Sequence, residues 1–312
     1  MTESPPIILH HYPMSPFAEK IRLILGFKGL HWSSVHIPNI MPKPDLTALT
    51  GGYRKTPVMQ IGADIYCDTA LIAEVIDARS PAPSLYPSGS ADASRILAQW
   101  ADSTLFWTAV PFAMQPAGLA HMFAGQPPEA VKAFGDDRNV FRANLARMRS
   151  GDAVGAFGQY LQRLDGMLAT QRFFFGSAPS IADFSIYHCL WFVERGGPVA
   201  KILDSHPVLQ AWRARMSAFG HGTHEKLDSG AAIAIAQGAA AAPSSGGNAE
   251  SHGILIGEKV VVAATDTGTD PIEGVLHGAT AERISIARQD ARAGKVVVHF
   301  PRLGFELRRA KG

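Results

Sequence analysis

Between residues 7 and 80 the apolar residues switch period in an order that few folds accommodate. Ile7-Ile8-Leu9 reads as a short strand, Phe17 to Gly29 as an amphipathic helix and Trp32 to Ile37 as a second strand, before a proline-rich loop through Pro38, Pro42 and Pro44. Pro57 to Ile61 is a third strand, Gly62-Ala63-Asp64 a hairpin turn and Ile65-Tyr66-Cys67 the returning strand. Asp68 or Thr69 then caps a helix whose Leu71, Ile72, Val75 and Ile76 share one face. The order is strand–helix–strand followed by strand–strand–helix, so residues 1–82 are expected to form an α/β domain.

The prolines and serines of residues 81–90 end that pattern and read as a linker. From there to about Gln237 every periodic stretch is helical: Ile96 to Trp107, Asp137 to Met148, Val154 to Leu168, Ile181 to Arg195 and Pro207 to Phe219. Residues 90–238 are therefore expected to be an all-α domain. Ser180 and Asp183, before the apolar run Phe184 to Trp191, match a capping box with Asp in place of Glu or Gln, a structural signal. Residues 239–252, small and polar, read as a flexible tether. Beyond it Lys259 to Ala264, Ile272 to Leu276, Arg283 to Arg288, Lys295 to Phe300 and Gly304 to Leu307 are short alternating or β-branched runs between Gly, Asp and Pro. Five such strands in residues 253–312 suggest a small closed β-barrel, because closure removes exposed edges.

Composition excludes several partners. Lys plus Arg number 29 against 27 Asp plus Glu, so no overall field recruits nucleic acid or an anionic membrane. Met1 to Pro6 lack the basic region and apolar core of a signal peptide, and no apolar run is long enough to span a bilayer, which points to the cytoplasm. The two cysteines, Cys67 and Cys189, sit about 120 residues apart and outside any C-x-x-C pair, which argues for reduced, buried thiols. His221-Gly222-Thr223-His224-Glu225 lies outside any H-E-x-x-H pattern and is expected to end a helix, so no metal site is expected. No phosphate loop, dinucleotide fingerprint or nucleophile elbow is present.

Chemistry concentrates at the first strand-to-helix turn, His10 to Arg22. The first amides of a helix have no intrahelical partner and the peptide dipoles place partial positive charge there, so Ser15 would sit beside ground that favours a carboxylate, phosphate or thiolate. The same residues also suit a plain turn, with Ser15 as N-cap and Pro16 at the first helical position. His10 and His11 alternate faces on the strand, one toward the site and the other toward solvent.

Ser-Pro-Phe at the first helix, Thr-Pro-Val before the hairpin, Asp68-Thr69 before the third helix and an appended helical domain with Ser-x-x-Asp together resemble the glutathione S-transferase superfamily over about residues 7–238. The resemblance implies a thioredoxin-like N-terminal domain followed by an all-α domain; the small all-β tail lies outside the usual pattern and looks SH3-like. Ser15 matches the position of the thiol-activating serine or cysteine, and Tyr12 is the competing donor, with packing under the domain interface as its alternative. Phe17 belongs to the same motif. Thr56-Pro57-Val58 resembles the cis-proline segment, in which Val58 would pair its backbone with the cysteinyl part of glutathione. Asp68-Thr69 matches the pair that holds the γ-glutamyl carboxylate, and Lys55 or Lys43 would meet the glycyl carboxylate. The second-substrate pocket would use Met14 and the helix carrying Trp100, Phe106, Trp107 and Phe112, with part of that aromatic set in the core.

A serine at position 15 has a definable task. Only the thiolate of glutathione is a good nucleophile, and lowering its pKa by two units requires about 2.7 kcal/mol of preferential stabilisation. One hydrogen bond to the charged form supplies about 1.5–3 kcal/mol and a helix N-terminus adds about 0.3–1 kcal/mol. A hydroxyl cannot form a mixed disulfide, so conjugation, isomerisation or thiolytic displacement on a small apolar electrophile is favoured over thiol reduction. The resemblance also implies a homodimer. The alternative is a non-catalytic scaffold of the same fold whose C-terminal barrel binds a protein partner.

Overall fold

In the computed structural model, which describes residues 5–142, 145–146, 148–244, 246–249 and 252–310, the chain opens as its periodicity dictates. The elements are β1 (Ile7–His11), α1 (Pro16–Phe27), β2 (His31–His36), α2 (Pro44–Thr50), β3 (Val58–Ile61), β4 (Asp64–Cys67) and α3 (Thr69–Arg79). β1 lies at the centre, parallel to β2 with Ile8 opposite Ser33 and antiparallel to β3 with Leu9 opposite Met59. Successive side chains of a strand point to opposite faces. Ile7 and Leu9 accordingly enter one core and Ile8 another. The proline-rich loop contains the unexpected α2, which starts with Pro44 in its first turn, where a residue without an N–H loses nothing.

The helical domain comprises α4 (Ala91–Trp100), α5 (Phe106–Ala113), α6 (Pro116–Met122), α7 (Pro128–Phe141), α8 (Ser150–Leu168), α9 (Ile181–Glu194) and α10 (Pro207–Ser217), with a 3₁₀ segment at Gly197–Ser205. A π-helical turn, Ala101–Leu105, joins α4 to α5 into one rod and aims Asp102 inward. α9 is almost wholly buried, and its capping box forms: Asp183 accepts from the Ser180 amide at 2.8 Å and also from the Trp212 indole at 2.9 Å. The helix expected over Asp137 to Met148 is displaced. α7 begins at Pro128 and ends at Phe141, because its Val131, Phe134, Arg138 and Phe141 stripe faces a cavity instead of a packed core, and none of its residues is buried. Residues 143, 144 and 147 of the expected helix lie outside the described residues.

The His221-to-Glu225 segment does not end a helix. Gly220 and Gly222, at φ +61° and +67°, turn the chain so that β5 (Thr223–Lys226) runs parallel to β2. α11 (Ser229–Gly238) follows, then β6 (Lys259–Ala264), β7 (Ile272–Ala279), β8 (Arg283–Asp290), β9 (Gly294–Pro301) and β10 (Phe305–Arg309). The five expected strands are present, and their ladders run on into the N-terminal sheet. The order is β10-β6-β7-β8-β9-β4-β3-β1-β2-β5, with β10 at one end and no ladder closing it onto β9 among the described residues. β9 lies parallel to β4, Ile65 opposite Val298. Its Val296, Val297, Val298 and Phe300 are all fully buried, as in an interior strand covered on both faces.

One core packs Ile7, Leu9, Met59 and Tyr66 against α1, α3 and the helical domain; the other packs Ile8, Val35, Val58 and Ile65 against α2, α11 and β6–β10. The segment expected to be a flexible tether is pinned where it is described: the Ala242 amide donates to Asp64 Oδ2 at 2.8 Å, and the Ser244 hydroxyl donates to the His277 carbonyl. Residues 245, 250 and 251 of that segment are not among those described. A buried hydrogen-bonded row, Ser285 to His299 to Asp64 at 2.8 Å each, crosses the β8–β9–β4 junction.

Candidate active site

A cleft of about 1510 Å³ opens where the N-terminal domain, the helical domain and the loops of β6–β10 meet. The α1 end of it is built as the sequence implies. Ser15 is the N-cap of α1, in extended conformation, and its hydroxyl accepts from the Ala18 amide at 3.2 Å, so its own proton is free for another acceptor. Ser15 lines the cleft although it is almost fully buried. Tyr12, Met14, Pro16 and Phe17 line it beside Ser15. The Tyr12 hydroxyl accepts from Arg138 Nη2 at 3.3 Å, which leaves it, too, free to donate.

The α3 end carries Asp68 and Thr69. Asp68 stands at φ +76°, the single non-glycine residue of positive φ among those described, and its side chain caps α3 by accepting from the Ala70 amide at 2.9 Å. Such a conformation costs of order 1–3 kcal/mol and is held only where the surroundings impose it. Burial pushes the Asp68 carboxyl pKa up, opposed by the Lys55 ammonium and the Ala70 hydrogen bond. Thr69 Oγ1 accepts from Lys20 Nζ at 3.2 Å, and Lys20, completely buried, is paired with Asp102 at 2.6 Å. Asp102 in turn meets His188 Nε2 at 2.8 Å. Burial acts to raise the Asp102 pKa, but Lys20 and His188 outweigh it and hold the carboxyl below its ordinary value. Thus a charged carboxylate sits in the cleft wall beside the α3 N-terminus.

Thr56 and Pro57, joined by a cis peptide bond, also line the cleft. Val58, by contrast, is fully buried in β3 between His10 and Cys67, and its side chain is no part of the wall. Lys55 and Lys43 both reach the cleft and differ in their partners. Lys55 Nζ lies 2.5 Å from Asp266, in the loop after β6, and 5.7 Å from the Phe305 ring. Lys43 Nζ has only neutral acceptors, Thr56 Oγ1 at 3.2 Å and the Arg54 carbonyl at 3.4 Å. Burial and then Arg138, opposed by Asp137 and aided by Arg54, bring the Lys43 pKa down to about 8. Lys43 is therefore left without a hydrogen-bonded counter-ion, whereas Lys55 is already engaged by Asp266.

The apolar wall is formed by Phe106, Trp107, Val110, Met114, Met122, Phe123, Phe134 and Phe141. Trp100 instead packs on Tyr160 and Phe112 on Phe157, so these two belong to the core. Neither His10 nor His11 turns to the cleft or to solvent. His10 bonds Gln60 at 2.9 Å and His11 bonds Ser34 at 2.8 Å, and burial lowers their pKa values to about 4 and about 3, with Arg22 adding to the shift of His11. Tyr53, Lys20, Arg54, Asp102, Arg138 and the C-terminal Asp266 were not foreseen as cleft residues. Lys20 alone left a signal, a lysine four positions before Ile24 on the apolar side of α1. Among the described residues no group of three or more His, Cys, Asp or Glu could hold a metal ion, and no helix is long and apolar enough to cross a membrane.

Known proteins match this architecture. The family description "Glutathione S-transferase, N-terminal domain" matches residues 9–84, and "Glutathione S-transferase, C-terminal domain" matches residues 137–215. A GST-like protein from Pseudomonas syringae, solved by crystallography, is 44% identical over 98% of this chain and all of its own, with a TM-score of 0.80. FtsZ-localized protein A of Caulobacter vibrioides is 24% identical over 197 residues, 61% of this chain and 78% of its own. The solved structure of FzlA from C. crescentus covers 68% of this chain and 88% of its own at 20% identity and a TM-score of 0.53, a likeness of fold. With both domains matched and a relative that spans β6–β10 as well, the chain belongs to the glutathione S-transferase superfamily.

Proposed function

We propose that the cleft binds glutathione and activates its thiol for conjugation, isomerisation or thiolytic displacement on a small apolar electrophile. The observation that carries this reading is the union on one cavity of Ser15 at a helix N-terminus, Thr56-Pro57, the Asp68-Thr69 cap and an ammonium hydrogen-bonded to neutral acceptors alone, Lys43. Glutathione is an extended tripeptide with a carboxylate at each end. The α3 N-terminus, with Thr69 and Lys20 behind it, suits the γ-glutamyl end, and Lys43 suits the glycyl carboxylate. Backbone groups of β3 at Val58 would pair with the middle of the peptide. The sulfur then lies at the α1 turn, where Ser15 and Tyr12 each hold a proton to donate. Homodimer formation and a cytoplasmic setting, which suits the two buried free cysteines, are part of the same proposal.

Ser15 donates without becoming a base, so its removal is expected to act on the thiol. The ultraviolet absorbance of bound thiolate, followed against pH, should titrate about two units below free glutathione in the wild type and move back upward in Ser15→Ala. An unchanged titration in Ser15→Ala, with Tyr12→Phe shifted instead, would transfer the role to Tyr12.

A second reading keeps the fold without the catalysis. Its support is the match to a relative whose name places it with FtsZ, and it makes β6–β10 a surface for a protein partner. That reading expects a bound partner and no thiol shift.

A further inference from the structure

One end of the cleft holds more positive charge than its own carboxylates neutralise. Asp137 accepts from Arg54 at 2.7 Å and from Arg138 at 2.9 Å and also acts on the nearby Lys43 ammonium, so one carboxylate serves three cations, and Lys43 has no carboxylate of its own within hydrogen-bond reach. The next carboxylate, Asp270, stands 3.8 Å from Arg54 with about half its side chain in solvent, where water and salt screen it. Cations drawn from water with too few counter-charges favour an arriving anion. The role of Arg138 rests on the glutathione reading, in which the glycyl carboxylate answers Lys43 and leaves the guanidinium to a second anion.

Arg138 is carried by α7, whose Phe134 and Phe141 belong to the apolar wall of the cleft. Its guanidinium is flanked by the Phe134 ring at 4.7 Å and the Phe141 ring at 5.7 Å. It donates to the Asn39 carbonyl at 2.7 Å and to the Tyr12 hydroxyl, and these contacts with Asp137 leave donors of the five-proton fork unused. Aromatic rings around a planar, permanently charged fork match a flat ring that ends in a carboxylate. The position is also fixed from the C-terminal side. The Gly268 amide donates to the Phe141 carbonyl at 2.9 Å, and at φ +57° a side chain on Gly268 would meet the Phe141 ring.

We propose that Arg138 is a specificity-determining residue that selects an electrophile with an aromatic body and a carboxylate, the ring lying along Phe134 and Phe141 and the carboxylate on the guanidinium.

Two conjugates serve as probes, S-benzylglutathione and S-(4-carboxybenzyl)glutathione, titrated by calorimetry into the full-length protein. The wild type is expected to hold the carboxybenzyl conjugate roughly tenfold more tightly, as a charge-assisted hydrogen bond supplies. Arg138→Gln should bring the affinity ratio to about one, and Arg138→Lys, which keeps the charge but loses the fork, should fall between. Lys43→Gln should weaken both conjugates alike and leave the ratio intact. Equal affinities in the wild type, or a preference that survives Arg138→Gln, would overturn the assignment. If glutathione and S-benzylglutathione bind without a carboxylate preference, only the role of Arg138 fails. If neither conjugate nor glutathione itself binds, the glutathione reading fails and takes this role with it.

Discussion

The two faces of the sheet are covered by different means. On one face, Ile7, Leu9, Met59 and Tyr66 meet helices that follow them closely in the chain, α1 and α3, and then the helical domain. On the other, Ile8, Val35, Val58 and Ile65 are covered by α2, α11 and strands some two hundred residues later. Both junctions carry a buried His–Asp pair at 2.8 Å, His188–Asp102 on the first and His299–Asp64 on the second. They differ in charge. Asp102 has Lys20 at 2.6 Å and forms part of the cleft wall, whereas the His299 row is completed by a neutral hydroxyl, Ser285, away from the cleft. The pair that lines the cleft has an ammonium as its third member, and the pair that fastens β9 to β4 has a hydroxyl.

The largest effect is expected from taking the second cover away. Deleting residues 239–312 bares β4 along its ladder to β9 and opens one side of the core around Ile8, Val58 and Ile65. Each aliphatic side chain returned to water costs about 1.5–3 kcal/mol, and a domain holds only about 5–15 kcal/mol in total. The truncated chain should lose its cooperative thermal transition; a transition at the wild-type temperature would show that the two cores are independent.

Next is the charged pair of the first junction. Lys20→Met leaves Asp102 buried with His188 alone and is expected to cost about 3–5 kcal/mol in denaturant unfolding. The double change Lys20→Met with Asp102→Leu should recover most of that loss. A single variant as stable as the wild type would make the pair dispensable.

Acid sensitivity is smaller per group and distinguishes the faces less sharply. His10 is held neutral by burial, with its pKa lowered to about 4, and burial also lowers those of His188 and His299. The unfolded chain protonates these groups near pH 6.5 while the folded chain resists, so their contribution is complete above that pH and drains away as pH falls, for His10 down to about 4. For His10 the loss is about 3 kcal/mol over that window. His10→Gln should flatten the fall of melting temperature between pH 7 and pH 4, and an equally steep fall would remove His10 from the explanation.

Legibility in the sequence divides along the same line. Short-range signals survived: the Ser15 cap, the strand at Lys259–Ala264 and the Ser180–Asp183 box all rest on contacts within a few residues. The pairing of β4 with β9 left no local trace, and five regular strands therefore read as a closed unit of their own. β5 was hidden because Thr223, His224, Glu225 and Lys226 are all exposed and show no alternation. At the cleft, Ser15, Thr56, Asp68 and Thr69 were found through motif order. Lys55–Asp266 and Lys20–Asp102 join positions 211 and 82 apart, a distance over which periodicity carries no information.

Glutathione in the cleft is the central claim, and calorimetric titration of the full-length protein with glutathione up to millimolar concentration tests it most directly. Millimolar affinity corresponds to only about −4 kcal/mol, so weak binding is still visible in that range. A saturable heat that weakens roughly tenfold in Lys43→Gln is the expected result, whereas no saturable heat from a folded wild-type protein would contradict it.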